Sequence, residues 1–144
     1  MTAPPAAPLH VLVVDDHEDS AHLLARLLRR EGHTVAVAHT LFGALTLGTA
    51  VRPDLLICDI DLPDGDGCEL LRRLRAFYGG RELSAVAVTG YGNEWLERCR
   101  QAGYARFFTK PVEFAALLEA AAASRPHEPR TLGGVPSPSV DPTS

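Results

Sequence analysis

Short apolar segments alternate along this chain with longer segments in which apolar residues recur every three or four positions. The short segments are too brief for a globular helix. A continuous apolar run without polar alternation is typical of a strand that is buried on both faces of a parallel sheet. The pattern therefore predicts strands at residues 9–14, 34–38, 55–59, 83–89 and 104–109.

The segments of helical periodicity predict a helix after each strand. The first is expected over residues 19–30, and the second runs to about residue 51 with Thr40 as its cap. Asn93 is expected to cap the fourth helix. The pairs Leu23/Leu27 and Phe114/Leu118 are interpreted as core positions of the first and last helices. The third and fifth helices are marked by Leu70, Leu71, Leu74 and Phe77, and by Phe114, Leu117, Leu118 and Ala121.

Strict alternation of strands and helices with short connections predicts an α/β fold, in which helices cover both faces of a parallel sheet. The ordered domain is expected over residues 9–124. Residues 1–8 are rich in alanine and proline, and residues 125–144 are rich in proline, serine, glycine and threonine. Such segments bury little apolar area, so both are predicted to be disordered arms. No output domain is expected, which predicts a stand-alone domain or one part of a larger protein.

Composition narrows the class of protein. The net charge of -4 argues against nucleic acid or an anionic membrane as a direct partner. The three cysteines form no closely spaced pair, which favours a reducing cytoplasm over a disulfide framework. No signal peptide and no apolar run of membrane-spanning length is visible. The chain has one lysine, Lys110, beside thirteen arginines, so that position is a candidate for a role that needs a compact ammonium group.

Polar residues stand where the predicted strands end. Asp15 and Asp16 follow the first strand, Asp59 closes the third, Thr89 closes the fourth and Lys110 follows the fifth. The carboxyl ends of parallel strands share one edge of the sheet, where ligands bind in open α/β folds. Three carboxylates at one edge repel each other unless a cation lies among them, and hard oxygen ligands favour Mg²⁺.

A carboxylate, a hydroxyl, an ammonium group and a magnesium site together predict phosphoryl transfer, with an aspartyl phosphate formed on Asp59. Each residue alone has a simpler interpretation. Asp15 and Asp16 could cap a helix, Thr89 could lead into a turn, and Lys110 could be a solvated charge. The joint placement carries the inference, and no histidine is assigned a function.

Four motifs in the predicted order carry a resemblance to a known family. They are Val13-Val14-Asp15-Asp16, Asp59-x-x-Leu62-Pro63-x-x-x-Gly67, Val88-Thr89-Gly90 and Phe108-Thr109-Lys110-Pro111. In these motifs the chain resembles the receiver domain of two-component response regulators, over about residues 9–124. The resemblance implies a flavodoxin-like (βα)₅ fold, a doubly wound parallel five-stranded sheet with strand order 2-1-3-4-5.

The resemblance also implies a mechanism. Asp59 would take a phosphoryl group from a sensor histidine kinase or a histidine phosphotransfer domain. Asp16, Asp59 and the backbone carbonyl of Asp61 would bind Mg²⁺ directly, and Asp15 would act through water. Thr89 and Lys110 would hold the phosphoryl oxygens.

The same resemblance assigns the switch and the partners. Thr89 and Phe107 would form the switch, and Lys110-Pro111 would be a cis peptide bond. It implies an unknown downstream effector and allows a homodimer that forms on phosphorylation. The receiver would be a cytoplasmic phosphoacceptor and not an enzyme with turnover on an external substrate. A weaker similarity points to receivers of hybrid histidine kinases.

Two rival functions share part of this pattern. A haloacid-dehalogenase-type phosphatase also begins from a strand-ending Asp-x-Asp, which Asp59-Ile60-Asp61 matches by letter. Leu62-Pro63, however, stands where that family usually has a small hydroxyl residue, and its late acidic pair is missing. A binding module that works without phosphorylation would not need every acidic and basic edge position filled, as they are here.

Overall fold

The computed structural model describes residues 7–81, 83–90 and 94–126, and these form one five-stranded parallel sheet. The sheet has the order β2-β1-β3-β4-β5, which confirms the predicted flavodoxin-like α/β fold and its strand order. Its strands are β1 (His10–Val14), β2 (Thr34–Ala38), β3 (Leu55–Asp59), β4 (Ser84–Thr89) and β5 (Arg106–Thr109).

Five helices cover the two faces of the sheet. They are α1 (Glu18–Arg30), α2 (Leu41–Ala50), α3 (Gly67–Phe77), α4 (Glu94–Ala102) and α5 (Phe114–Ala122). Helices α1 and α5 pack on one face, while α2, α3 and α4 pack on the other. Thr40 caps α2 as predicted, since its hydroxyl accepts a hydrogen bond from the Gly43 amide at 2.9 Å. Among the helices of the described ranges, none combines the length and apolarity needed to cross a membrane.

Strand β3 is the centre of the sheet and is buried along its whole length. Leu55 and Ile57 face the core beneath α1 and α5, whereas Leu56 and Cys58 face the core beneath α2, α3 and α4. This burial on both faces explains why the strand reads as an unbroken apolar run rather than as an alternating one. It also means that the strand delivers Asp59 from the middle of the sheet to its edge.

The core face of α1 differs from the sequence interpretation. Leu24 and Leu28 are buried with Ala21, whereas Leu23 remains 46% exposed and Leu27 is only half-buried. The predicted stripe lies one residue, or about 100° of helix rotation, away from the real one. The small alanines decide the face, because they allow α1 to approach the sheet.

Other boundaries and core positions also shift. Phe77, taken as part of the pattern of α3, is 62% exposed. Phe114 and Leu118 are half-buried at the margin of the core, while Leu117 is fully buried. Strand β5 begins at Arg106 rather than at residue 104. The predicted cap Asn93 and nearly all of the two arms lie outside the described residues.

A short hairpin follows β3 and shapes the loop next to Asp59. Residues Asp61–Leu62 pair antiparallel with Gly65–Asp66, and α3 then begins at Gly67. A Cβ on Gly67 would lie 2.9 Å from both Cys58 Sγ and Ile60 Cδ1, so no larger residue fits there without movement. The hydroxyl of buried Tyr104 donates to the Gly67 carbonyl at 2.8 Å. The glycine is therefore required by close packing.

Candidate functional site

The carboxyl ends of the strands bring the candidate residues to one edge of the sheet. In the register of the sheet Val14 lies beside Cys58, Asp59 beside Val88, and Thr89 beside Thr109. The residues that continue these strands therefore start from neighbouring positions. The structure assembles there all the polar groups that the sequence pattern assigned to the edge: Asp15, Asp16, Asp59, Thr89 and Lys110.

The centre of the site is an ion pair between Asp59 and Lys110. Lys110 Nζ donates a hydrogen bond to Asp59 Oδ2 at 2.7 Å, and the Asp61 amide donates to Asp59 Oδ1 at 3.1 Å. Only 5% of Asp59 is exposed. Burial raises the pKa of the Asp59 carboxyl, and the hydrogen bonds from Lys110 and Asp61 offset part of that rise. A carboxylate in this position is held in one orientation with little water around it.

The same surroundings set the pKa of Lys110, where burial and the neighbouring charges act in opposite directions. Burial alone lowers the pKa of its ammonium group, but the hydrogen bond and charge of Asp59 outweigh burial. Asp15 and Asp16 add to that effect, so the pKa of Lys110 is raised. The one lysine of the chain therefore stays charged at the site, where it faces several carboxylates.

An acidic cluster lies beside this pair. Asp15, Asp16, His17 and Asp59 each bring one possible ligand atom within 4.8 Å of the others. Asp15 is held by the His17 amide, which donates to its Oδ1 at 2.9 Å. Three carboxylate groups in this arrangement fit a hard divalent cation such as Mg²⁺. Among the described residues, the side chain of Asp61 is not part of this cluster.

His17 is the residue of this cluster that sequence reasoning did not select. Its Nδ1 lies 3.5 Å from Asp15 Oδ1 and 3.4 Å from Asp16 Oδ1. The only signal in the sequence is its position directly after the two aspartates. Because a histidine in an exposed turn is common, that signal does not distinguish a member of the cluster from a surface residue.

Thr89 and Phe107 lie on the two neighbouring strands at the other side of Asp59. Thr89 is buried, and its carbonyl accepts a hydrogen bond from the Lys110 amide at 2.8 Å. Phe107 is half-buried against the core beneath α4, with the Arg100 guanidinium 5.9 Å from its ring centroid. The Lys110–Pro111 peptide bond is cis. These contacts connect the edge of the site to β5 and to the surface beside α4.

A cleft of about 480 Å³ opens next to the acidic cluster, between the ends of α1 and α5. Asp15, His17, Asp59 and Lys110 form its polar wall. Its remaining wall is mostly apolar and includes Leu24 and Leu117 from the two helices. Asp59 is therefore reached from solvent through an opening large enough for a side chain or a small phosphate compound.

Comparison with known proteins agrees with this geometry. A family model described as response regulator receiver domain matches residues 11–122. The polar-differentiation response regulator DivK of Brucella anthropi is 31% identical over 115 residues, covering 78% of this chain and 92% of that protein.

Solved structures give the same result. A CheY-like receiver domain protein from Methanospirillum hungatei JF-1 is 30% identical, with a TM-score of 0.73 over 80% of this chain and 91% of that one. A response regulator from Burkholderia pseudomallei is 28% identical, with a TM-score of 0.69 over 77% of this chain and 65% of that one. The latter structure is described with a phosphorylated aspartic acid, a calcium ion and citrate.

Proposed function

Because this chain belongs to the response regulator receiver domain family, we propose that it is a phosphoacceptor of a two-component phosphorelay. Asp59 takes a phosphoryl group from a phosphohistidine of a sensor histidine kinase or a histidine phosphotransfer domain. The modification then alters a surface that binds a downstream effector. The observation that carries this proposal is the buried Asp59 carboxylate, paired with Lys110 at 2.7 Å beside the acidic cluster.

In the proposed step an oxygen of the Asp59 carboxylate attacks the phosphorus of the donor. A new O–P bond forms as the P–N bond to the donor imidazole breaks, and the imidazole leaves with that electron pair. The ammonium group of Lys110 and the hydroxyl of Thr89 are proposed to bind the phosphoryl oxygens. Burial of Asp59 supports the step, because a carboxylate with few competing waters keeps a fixed direction of attack.

Asp15, Asp16 and Asp59, with the Asp61 carbonyl, are the groups proposed to hold Mg²⁺. When bound, the ion would neutralise negative charge on the phosphoryl oxygens. The oxygen-rich set of ligands supports this assignment. The three cysteines are all free thiols, which supports a reducing cytoplasm as the proposed location.

Phosphorylation by a small phosphodonor tests the proposal. The protein is incubated with Mg²⁺ and acetyl phosphate, and its intact mass is then measured. We expect a gain of one phosphoryl group per chain, dependent on Mg²⁺. A haloacid-dehalogenase-type phosphatase would instead release phosphate from monoesters through many turnovers. Absence of any labelling would favour a phosphorylation-independent binding module and contradict the proposal.

Removal of one cluster carboxylate should weaken the metal site. Asp16→Ala is expected to reduce Mg²⁺ affinity by roughly 10-fold or more, because a ligand and a negative charge are lost together. Without Mg²⁺ the same variant should unfold at a higher temperature, because repulsion within the cluster falls. Calorimetric titration and thermal unfolding measure the two effects. Asp19→Ala, which removes an exposed carboxylate on α1 outside the cluster, is the matched control; equal Mg²⁺ affinity in the two variants would argue against this site.

The proposed switch couples Asp59 to β5. On phosphorylation Thr89 is expected to move toward the phosphoryl group, and Phe107 to turn inward into the space that it leaves. Phe107 has no hydroxyl, so packing alone determines its inward position. Amide chemical shifts of α4, β5 and α5 should therefore change when beryllofluoride is added in the presence of Mg²⁺.

Thr89→Ala gives the control for this coupling. The variant loses one proposed contact to the phosphoryl oxygens, so it is compared at saturating beryllofluoride. The shift changes on α4, β5 and α5 should then fall to less than about half of their normal size. Identical spectra of the normal protein with and without bound beryllofluoride would show that no signal leaves the site through this face.

A further inference from the structure

His17 is the one member of the acidic cluster that is not a carboxylic acid. It occupies the cap position of α1, a position that favours serine, threonine, aspartate and asparagine. The His17 side chain makes no capping hydrogen bond. Its ring is turned toward the carboxylates instead, with Nδ1 3.5 Å from Asp15 Oδ1 and 3.4 Å from Asp16 Oδ1. The imidazole therefore belongs to the cluster and not to the cap of the helix.

The two distances from Nδ1 are too long for charge-assisted hydrogen bonds, which are about 2.7–2.9 Å long. They suit ligands that share an ion. Two ligands at about 2.1 Å from a tetrahedral metal ion lie about 3.4 Å apart. Two adjacent ligands of octahedral Mg²⁺ lie closer together, at about 2.9 Å. Asp59 also brings an oxygen within 4.8 Å of the other three ligand atoms, which completes a set of four.

A ring nitrogen among the carboxylates changes which cation the set prefers. Mg²⁺ binds carboxylate oxygens and water, so it gains little from an imidazole. Imidazole suits Zn²⁺, Ni²⁺ and Cu²⁺, which first-row sites with nitrogen ligands bind more tightly than Mn²⁺. A neutral ring adds no negative charge, so it does not strengthen the attraction that all divalent ions share. Its effect is therefore selective for ions that bind nitrogen.

We propose that His17 Nδ1 is a ligand of the cation site and shifts its preference from Mg²⁺ toward late first-row transition-metal ions such as Zn²⁺. The inference rests on the proposed function, because Asp15, Asp16 and Asp59 are the carboxylates proposed there to hold Mg²⁺. The His17 side chain is 71% exposed, so an ion reaches it directly from solvent. Zn²⁺ would compete with Mg²⁺ for the same carboxylates, which makes the supply of transition metal a second input to the site.

Calorimetric titration of the full chain with ZnCl₂ and, separately, with MgCl₂ measures this preference as the ratio of the two association constants. His17→Asn removes the ring nitrogen and keeps a polar residue suited to a helix cap. The Zn²⁺/Mg²⁺ ratio should fall at least about 10-fold, because loss of even an outer partner of a metal ligand costs roughly 10- to 100-fold in affinity. His22→Asn is the matched control, since His22 is exposed on the same helix but lies outside the cluster, and it should keep the normal ratio.

Nitrogen resonances of the histidine rings identify the ligand atom in the normal chain. In long-range ¹H–¹⁵N spectra, Zn²⁺ should shift the Nδ1 resonance of His17 and leave those of His22 in place. Saturating Mg²⁺ should shift His17 Nδ1 far less than Zn²⁺ does. This measurement needs no substitution, so it holds even if a variant folds poorly.

An ion pair of a protonated His17 with the two aspartates is the competing interpretation. It predicts an unchanged Zn²⁺/Mg²⁺ ratio in His17→Asn and no shift of Nδ1 with Zn²⁺, and either result would overturn the proposal. An equal fall of the ratio in His22→Asn would also overturn it, because surface histidines would then account for the binding of Zn²⁺. Labelling of the normal chain by acetyl phosphate with Mg²⁺ is a separate result: if it succeeds, the phosphoacceptor function stands whether or not His17 binds a metal ion.

Discussion

Replacing Asp59 with asparagine is expected to abolish the gain of a phosphoryl group from acetyl phosphate, with no labelled fraction detectable by intact mass. The amide has nearly the same volume as the carboxyl group but lacks the charged oxygen that attacks phosphorus. Asp59 is 5% exposed at the end of β3, so a residue of similar size preserves the packing around it. The loss therefore reports the chemistry of Asp59 and not a change of fold.

The same substitution should stabilise the protein without Mg²⁺. The pKa of Asp59 is raised in the folded state by burial, so the charged carboxylate costs folding free energy. That contribution is favourable below the unfolded value of 3.8 and is lost as pH rises through the folded pKa. Asp59→Asn should thus unfold at a higher temperature than the normal protein at pH 7, and the difference should shrink as pH falls toward 4.

Asp61→Asn is the matched control for both measurements, because Asp61 is exposed and its proposed contribution is a backbone carbonyl. It should label to the normal extent and show little change in unfolding temperature at either pH. Full labelling of Asp59→Asn would mean that another residue accepts the phosphoryl group, and the proposed function would need a different acceptor.

Removal of the single lysine should have the second-largest effect. Lys110→Ala deletes the ammonium group that contacts Asp59 at 2.7 Å and that is proposed to bind the phosphoryl oxygens. A positioned donor to developing negative charge is worth roughly 100-fold or more in rate. We expect phosphorylation of Lys110→Ala by acetyl phosphate to slow by about that factor, as measured by the initial rate of mass gain at saturating Mg²⁺.

A double-mutant cycle separates this effect from stability. In the normal background Lys110→Ala leaves the buried Asp59 carboxylate without its ammonium partner, so the free energy of unfolding should fall at neutral pH. In the Asp59→Asn background the same change removes no charge pair and should cost much less. Equal losses in both backgrounds would mean that Lys110 stabilises the fold through its packing, and not through Asp59.

Much of the fold was predictable because its strongest signals are local. The run Leu55–Asp59 predicts a strand that is buried on both faces of the sheet. The carboxylate at its end predicts the edge of the sheet where the site lies. The position of the polar site follows from topology alone. The carboxyl ends of parallel strands lie at one edge of the sheet, so Asp15, Asp59 and Lys110 lie close together at that edge. The order of strands and polar residues in the sequence is therefore sufficient to predict where the site lies.

Other features depend on packing that sequence periodicity does not encode. The four leucines of α1 form two adjacent stripes of equal apolar weight, and only the small Ala21 and Ala25 show which stripe meets the sheet. Sequence periodicity likewise does not show that Phe42 and Phe77 are exposed, because an apolar residue on a helix is usually counted as core. The turn after β1 places His17 in the acidic cluster. Hydrophobic periodicity carries no information about the conformation of that turn, so it does not predict this contact.

The rarity of lysine in this chain has a practical consequence for chemistry at the site. Apart from the α-amino terminus, an amine-selective reagent has one target, Lys110 Nζ, whose side chain is partly accessible next to Asp59. Acylation there would convert the ammonium group to a neutral amide in the native protein, with no change to the gene. If Mg²⁺ and a phosphate analogue protect that amine, the rate of its acylation measures whether the site is occupied.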